Sequence, residues 1–467
     1  MRSWFLRLGR EAAAYGLGKV LIGSFYLLLI PAYTRLLAPE QYGRIETLVQ
    51  LQALLTCFMV LGADTALSYH FYQVEGENPE SLRRLVSARV QLLLGVGTSL
   101  AAAAFTVGWL AGLELVPLGL ALLGLLCQLL MSGSVDLDRL RHRPAVSVGV
   151  NLLYVVVAGL TSLGAMLGLG WSVEAFFLGQ VVGGLVAASI GWFGNRALLE
   201  LGRLHREEAR RLLRTGLPLV PAAVALYTLA NGEKWLISYF MGASALGLYA
   251  VAYRLASVIS FWMESFRQAF WPLAMEAINR EQGPGLFRNI AQLYLLLSCA
   301  AVLLLAGLGP YAVEVLVGAK FREAYPLLGI LGWPVVLSGL FNVITPGFWK
   351  SQRSNLIPVT AGASAVLSLS LNAALIPHWG LAGVAAAVVT SYTVWNFASL
   401  FLSERLWPVG FPWLRMLAIV LAGVGATLGL TWLVVHGQVV PVAGVLAGCL
   451  LLVGLASRRP LRTVLRG

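Results

Sequence analysis

The sequence has little charge and few cysteines. Only 12% of its 467 residues are Asp, Glu, Lys or Arg, whereas soluble globular domains carry about a quarter. Hydrophobic residues make up 58%, so the chain is predicted to be a polytopic membrane protein rather than a soluble domain. The cysteines lie inside apolar runs without paired spacing, which argues against a disulfide framework and a metal site. They are Cys57, Cys127, Cys299 and Cys449.

Acidic residues are also scarce relative to basic ones. There are 21 Asp and Glu against 33 Lys and Arg, which gives a net charge of +12. The basic residues lie between apolar runs instead of forming one patch, so nucleic acid is not the predicted partner. The sequence contains no glycine-rich phosphate-binding loop. We therefore predict no cofactor, no metal and no ATP-driven transport by this chain alone.

Apolar runs long enough to span a bilayer, roughly 20 residues each, recur along the whole chain. The sequence contains fourteen candidates, of which the second and eighth are long enough to tilt or to extend beyond the bilayer. The first is too long for the apolar core of a signal peptide, so we expect an uncleaved helix. The candidates are 16–37, 42–71, 87–110, 115–135, 145–168, 173–195, 216–240, 243–274, 287–309, 326–349, 357–376, 381–402, 413–435 and 439–456.

Lys and Arg residues alternate between the two ends of these spans. If the N-terminus is cytoplasmic, 26 of the 33 fall in cytoplasmic segments, as the positive-inside rule requires. Three fall within spans, namely Lys234, Arg254 and Arg267. The alternation predicts an even number of spans with both termini in the cytoplasm.

The two halves of the chain share a hairpin. Residues 36–43 align with residues 240–247 at a constant offset of 204, and each segment ends one span and opens the next. We predict an all-α membrane protein of about 14 transmembrane helices, with two six-helix lobes related by pseudo-twofold symmetry plus a C-terminal helix pair. The predicted parts are an N-terminal lobe at 1–195, a cytoplasmic amphipathic linker at 196–214, a C-terminal lobe at 215–405, and the helix pair with a basic cytoplasmic tail at 406–467.

Three motifs resemble the Wzx-type polysaccharide flippases of the MOP exporter superfamily, which also holds the MATE exporters and the lipid II flippase. Residues 31–43 are similar to the family's first-hairpin signature, 231–254 to its signature of the seventh and eighth spans, and 372–386 to its Asn…Ile-Pro…Gly turn. The likeness covers roughly residues 10–405. This chain has Glu233 and Lys234 where the family often has Asp and Arg, which keeps the charge order but loses the guanidinium fork.

The resemblance implies a flippase that moves lipid-linked (undecaprenyl-diphosphate) oligosaccharide across the bacterial inner membrane by alternating access, for surface polysaccharide biosynthesis. Such a carrier does no covalent chemistry, so no enzyme activity and no catalytic residue are expected. The expected partners are the lipid-linked oligosaccharide, membrane lipids, a coupling H⁺ or Na⁺, and a polysaccharide polymerase or glycosyltransferase. The expected location is the bacterial inner membrane, with both termini cytoplasmic.

A diphosphate-linked cargo needs cationic side chains in a cavity within the membrane. Arg254 and Arg267 are the preferred candidates because both fall in the long eighth span. The alternative for each cation is structural, by snorkelling to the interface for those near span ends and by ion pairing for those within spans. The candidate substrate-binding residues are Arg254, Arg267, Lys234, Arg35, Lys19 and Lys350.

Acidic residues inside spans are the candidates for ion coupling. Burial favours the protonated form of a carboxyl group, which can then exchange a proton during transport. The candidates are Asp64, Glu264 and Glu233, and the alternative role for each is to neutralise a neighbouring cation.

Two other functions fit parts of the sequence. A MATE-like ion-coupled multidrug exporter would need a cavity dominated by carboxylates, whereas the charge within spans here leans positive. An integral-membrane glycan polymerase or ligase would need acidic, metal-binding or general-base groups, often on a sizeable outer loop. The longest predicted outer loop, 310–325, offers Glu314 and Glu323 without metal-ligand spacing. A different anionic lipid as cargo also stays open.

Overall fold

The computed structural model is built from α-helices. It describes residues 2–75, 79–200, 205–278, 280–437, 443–444 and 446–448, and no strand occurs among them. Because a bilayer offers no water to backbone N–H and C=O groups, helices satisfy these groups within the segment. The prediction of an all-α membrane protein is confirmed.

Fifteen helices, α1 to α15, follow one another along the described chain. In its first half they are α1 Arg2–Leu36, α2 Pro39–Val60, α3 Ala63–Glu75, α4 Pro79–Leu110, α5 Leu115–Leu140, α6 Pro144–Leu169, α7 Val173–Asn195 and α8 Arg206–Gly216. In its second half they are α9 Val220–Ala256, α10 Ile259–Ala277, α11 Gly283–Leu316, α12 Tyr325–Ile344, α13 Pro346–Lys350, α14 Leu356–Leu406 and α15 Trp413–Val435.

Ten helical stretches among the described residues are long and apolar enough to cross a membrane, or eleven if α2 and α3 form one bent span. Helices α9 and α14 are each two arms joined at a glycine with positive φ, Gly242 at 83° and Gly380 at 53°. Glycine adopts this backbone without strain because it lacks a Cβ. Most of the last predicted span, 439–456, lies outside the described residues, so the count of fourteen stays a prediction.

The second and eighth predicted spans are interrupted by bends. Between α2 and α3, Leu61 and Gly62 have positive φ and the two helices are bent by 40°. Between α9 and α10, a turn at Ser257 and Val258 interrupts the helix. The extra length of both spans is therefore divided between two helices.

The chain packs into two compact units. The first comprises Met1–Leu37 and Arg44–Tyr227, and the second comprises Ala38–Gly43 and Thr228–Gly467. The tip of the first hairpin therefore belongs to the second unit, whereas α8 and the first turns of α9 belong to the first. The predicted lobes, 1–195 and 215–405, and their symmetry stay predictions.

Glycine residues of α7 bring it close to its two neighbours in the first unit. Gly179 and Gly183 face Ala158 of α6, and Gly184 faces Cys127 of α5. Within a bilayer there is no hydrophobic drive between helices, so close backbone approach and dispersion hold them together. The glycines of α7 thus allow the tight packing of the first unit.

Replacing Gly183 by alanine is expected to lower stability by about 1–3 kcal/mol. The new Cβ would lie 2.8 Å from Ala158 Cβ and 2.9 Å from its backbone nitrogen, so two helices would have to separate. The measurement is the thermal unfolding temperature in detergent. Gly164→Ala on α6, where no atom lies within 4 Å, is the control. Equal unfolding temperatures for the two variants would contradict the expectation.

The amphipathic helix α8 is docked on the first unit. Its Leu212 side chain is fully buried in a cluster with Phe71 of α3 and Leu85 of α4. Where α8 ends, the backbone of Gly216 lies against Gly62, so closely that a Cβ on either glycine would overlap the other backbone. The linker is thus fixed to the bend between α2 and α3.

Helix α12 forms the centre of the second unit. The buried Trp333 donates from Nε1 to Thr427 Oγ1 of α15 at 3.1 Å. Phe341 stacks on Trp395 of α14 with ring centroids 4.4 Å apart, and Trp395 Nε1 donates to Thr360 Oγ1 at 3.3 Å. These contacts fix α14 and α15 around α12.

Candidate functional site

Two hairpin turns of similar sequence cross each other in the second unit. A Cβ on Gly43 would lie 2.5 Å from Ala243 C, and a Cβ on Gly247 would lie 2.9 Å from Pro39 C. The offset of 204 residues pairs Gly43 with Gly247 and Pro39 with Ala243, so each contact is the equivalent of the other. Reciprocal contacts of this kind are what a local twofold relation produces. Glycine at both crossing points allows the two backbones to touch.

The two arms of α9 enclose a pair of buried charges. Glu233 and Lys234 lie on the first arm and are 1% and 5% exposed. Tyr249 on the second arm donates from its hydroxyl to Glu233 Oε1 at 3.1 Å. Lys234 Nζ donates to Asn231 Oδ1 at 3.3 Å and lies 4.9 Å from the ring centroid of Tyr253. The hairpin therefore holds an ammonium, a carboxylate and two phenol rings together.

Arg254 lies next to Tyr253 on the second arm and is half-buried. Its guanidinium carbon is 5.3 Å from the ring centroid of Tyr42, at the tip of the first hairpin. The Tyr42 ring packs edge-on against the buried Phe321 with centroids 5.7 Å apart. We refer to Glu233, Lys234, Tyr249, Tyr253 and Arg254, together with Tyr42, as the α9 site.

Arg267 occupies a different position from Arg254, although both fall in the eighth predicted span. The turn at Ser257 and Val258 separates them, and Arg267 lies on α10. Its Nε and Nη2 donate to the two carboxylate oxygens of Glu264 at 2.9 and 2.6 Å. The structure thus places two of the predicted residues, Arg267 and Glu264, in one exposed ion pair on a single helix.

The other predicted cations lie near helix ends or on the exposed side of α1. Lys350 donates from Nζ to Ile278 O at 2.9 Å and lies 4.2 Å from the ring centroid of Trp407. Lys19 and Arg35 both have exposed side chains on α1. The role of Lys350, Lys19 and Arg35 in binding stays a prediction.

Asp64 leads to a charged cluster that sequence reasoning did not find. It accepts hydrogen bonds from Nε and Nη2 of Arg89 on α4, the former at 2.7 Å. Arg89 is only 4% exposed, and its Nη2 lies 3.9 Å from Asp136 Oδ2 on α5. Arg89 is one of the 26 Lys and Arg residues that the sequence analysis counted as cytoplasmic, and the fourth predicted span ends at 135, before Asp136. The sequence did contain a signal for this cluster, because Arg89 and the two aspartates carry opposite charges and lie in or beside neighbouring predicted spans.

Two more buried carboxylates were missed for similar reasons. Glu46 accepts from Gln50 Nε2 at 2.8 Å, one turn along α2. Asp138 accepts from Asn195 Nδ2 at 3.2 Å, from α7 to α5. Each carboxylate accepts a hydrogen bond from a neutral amide side chain. A search for pairs of opposite charge in the sequence does not find such partners.

A comparison with protein families identifies the family of this chain. A family model described as "Polysaccharide biosynthesis protein" matches residues 32–326, which include the first hairpin and the whole of α9. The chain belongs to this family. The predicted resemblance is therefore confirmed, and the matched segment contains every residue of the α9 site.

This family member is also similar to a curated flippase. "Probable low-salt glycan biosynthesis flippase Agl15" of Haloferax volcanii is 22% identical over 263 residues. The match covers 55% of each protein, so this chain spans about half the length of that relative in the alignment.

Solved structures of two kinds share the fold. "Lipid II flippase MurJ, inward closed conformation" aligns with a TM-score of 0.71 at 11% identity, over 96% of this chain and 99% of that chain. An inward-facing MATE family multidrug resistance transporter of the MOP superfamily aligns with a TM-score of 0.66 at 13% identity, over 85% and 95%. At such identities the likeness shows the fold, and the predicted fold class is confirmed by it.

Proposed function

We propose that this member of the polysaccharide biosynthesis family is a flippase. It translocates undecaprenyl-diphosphate-linked oligosaccharide outward across the bacterial inner membrane by alternating access, and it changes no covalent bond. The observation that carries the proposal is the α9 site, where Lys234 and Arg254 lie among phenol rings inside a membrane-length helical hairpin.

The chemistry of the α9 site matches that of the cargo. A charged side chain at mid-membrane depth costs about 2.5–3.5 kcal/mol on insertion scales, so it is retained where it has a function or a partner. Arg254 offers a planar fork that binds phosphate oxygens in pairs, and Lys234 adds a second positive charge. The Tyr42 and Tyr253 rings provide surfaces for sugar rings and for the two cations. The remaining candidates, Arg267, Lys350, Arg35 and Lys19, extend this cationic character to further positions.

Ion coupling and cellular setting belong to the same proposal. H⁺ or Na⁺ drives the cycle through the acids within the helices, with Asp64, Glu233 and Glu264 as the candidates. Both termini face the cytoplasm, and a polysaccharide polymerase or glycosyltransferase works with the flippase. The similarity to a probable glycan biosynthesis flippase supports a glycan as the cargo.

The test is translocation of a purified lipid-diphosphate oligosaccharide in proteoliposomes. An impermeant glycan-modifying enzyme outside the vesicles reports which glycans have crossed. Protein-dependent exposure of the glycan without a change in its mass is the expected result. A change in glycan mass would replace the proposal with a polymerase or ligase, and efflux of cationic dyes without glycan exposure would replace it with a MATE-like exporter.

A further inference from the structure

The amphipathic helix α8 carries a column of arginines on its exposed side. Arg206, Arg210 and Arg214 follow one another at intervals of four residues, so they line one side of the helix over about 12 Å. All three side chains are exposed, and none forms an ion pair with another residue in the described part of the chain. We call these three residues the α8 arginine column.

The column concentrates positive charge that the helix itself does not neutralise. Like charges four residues apart repel each other and weaken an isolated helix. The opposite side of α8 offsets this repulsion, because Leu212 is buried against α3 and α4. Arg211 and Glu207 share the exposed side with the column, which gives that side four arginines, one glutamate and a net charge of +3. This surface is therefore complementary to an anion.

The other acidic side chains close to α8 interact with different cations. Glu208 and Glu200 both attract the guanidinium of Arg84 on α4. Arg84 also forms an ion pair with Glu80. In addition, Glu200 Oε2 lies 3.8 Å from His205 Nε2. These acids offset positive charge on the α4 side of the helix, and the column keeps its own.

Exposed apolar and aromatic side chains lie directly beside the column. Leu217 and Leu219 are exposed in the turn between α8 and the membrane-length helix α9. Tyr69 of α3 is also exposed, next to His70, whose Nε2 lies 3.1 Å from Thr215 Oγ1 of α8. Tyrosine is enriched where lipid headgroups meet acyl chains, and basic residues beside apolar ones are typical of helices at that level. The surroundings of the column thus fit a lipid surface.

We propose that the α8 arginine column binds the phosphate groups of anionic phospholipids. Each guanidinium offers a planar fork that binds phosphate oxygens in pairs. One basic residue near an anionic bilayer strengthens binding about fivefold, so three strengthen it about 100-fold. The exposed leucines and tyrosine beside the column can contact the acyl chains of the same lipid, a contact that an acidic protein surface does not offer.

A lipid bound at the column would also hold α8 against the rest of the first unit. Gly216 at the end of α8 lies against the backbone of Gly62, at the bend between α2 and α3. Because a ligand that binds only the folded state stabilises it by mass action, lipid binding should be visible as a gain in stability.

The test is the thermal unfolding temperature of the full chain in neutral detergent, with phosphatidylglycerol or phosphatidylcholine added. Phosphatidylglycerol is expected to raise the unfolding temperature and phosphatidylcholine to leave it unchanged. The rise should shrink at high salt, because salt screens interactions between exposed charges. Equal responses to the two lipids, or no response to phosphatidylglycerol, would overturn the proposal.

A triple variant assigns the effect to the column. With Arg206→Gln, Arg210→Gln and Arg214→Gln combined, about 100-fold more phosphatidylglycerol should be needed for the same rise in unfolding temperature. Arg210→Gln alone should require about fivefold more, and this variant covers the case in which the triple variant does not fold. A wild-type response in Arg210→Gln and in the folded triple variant would overturn the column as the binding site.

A matched control removes the same amount of charge elsewhere. Arg44→Gln, Arg280→Gln and Arg405→Gln combined remove three exposed arginines that already have partners in the described structure. Arg44 and Arg280 pair with glutamates, and Arg405 lies 4.3 Å from the ring centroid of Phe401. This variant is expected to respond to phosphatidylglycerol like the wild type. An equal loss in both triple variants would show a general charge effect and overturn the proposal.

Other anions distinguish the remaining ligands of such a surface. An equal rise with inorganic phosphate would replace the lipid by a free anion, and a rise with polyglutamate alone would replace it by an acidic protein. A rise with the lipid-diphosphate oligosaccharide alone would assign the column to the cargo. The measurement with phosphatidylglycerol needs no transport, so its result and that of the translocation test are independent.

Discussion

Replacing Arg254 by alanine is expected to slow translocation of the lipid-linked oligosaccharide by about 100-fold while the protein stays inserted and abundant. Loss of one partner from a desolvated charge pair costs about 2–5 kcal/mol, and each 1.4 kcal/mol is a factor of ten. Arg254 is half-buried and lies over the Tyr42 ring, so its guanidinium is positioned without the freedom of a surface side chain. The measurement is the rate of glycan exposure in proteoliposomes.

A second substitution of Arg254 and a control variant elsewhere separate an effect on binding from an effect on folding. Arg254→Lys keeps the charge but loses the planar fork, and an intermediate rate is expected. Arg44→Ala removes an arginine from an exposed pair with Glu114 and should leave transport and stability unchanged. If Arg254→Ala transports normally, Arg254 does not bind the diphosphate. If transport falls only in proportion to the amount of folded protein, the role of Arg254 is structural.

Replacing Gly247 by alanine is expected to destabilise the protein by about 3 kcal/mol or more, at the upper end of overpacking effects. The added Cβ would lie 2.9 Å from Pro39 C, 3.0 Å from Gly43 N and closer still to Pro39 O. These are backbone atoms of the other hairpin, so no side chain can turn aside. Gly43→Ala meets Ala243 in the equivalent way and is expected to behave alike.

The crossing can be tested by comparing three alanine variants in detergent. Gly247→Ala and Gly43→Ala should lower the thermal unfolding temperature or reduce the yield of folded protein. Gly425→Ala on α15, where no atom lies within 4 Å, should change neither. A stable Gly247→Ala protein with unchanged transport would show that the two turns need not touch.

Much of the fold could be predicted because the necessary information is local. Apolar runs of about 20 residues identify spans from composition alone. The repeated turn at 36–43 and 240–247 identified two related hairpins, and the structure then brought Gly43 and Gly247 to reciprocal positions. The ion pair of Arg267 with Glu264 was likewise foreseeable, because residues three apart on a helix are neighbours.

The charged cluster of Arg89 with Asp64 and Asp136 could not be predicted in the same way. Its members come from three helices, and the pairing depends on how each helix is rotated about its axis. The bend at Leu61 and Gly62 also decides where Asp64 points, and no composition window locates that bend. A count of charges at span ends therefore treated Arg89 as cytoplasmic, although its side chain is buried.

By itself, the sequence determined the all-helical membrane class and the family. Each depends on hydropathy over short windows or on motifs of a few residues. Only the tertiary structure decided which side chain each charged group contacts. These contacts are Glu233 with Tyr249, Arg254 with Tyr42, and Arg89 with Asp64. The reason is physical, since an ion pair or a ring contact requires distances of a few ångströms, and packing between helices sets those distances.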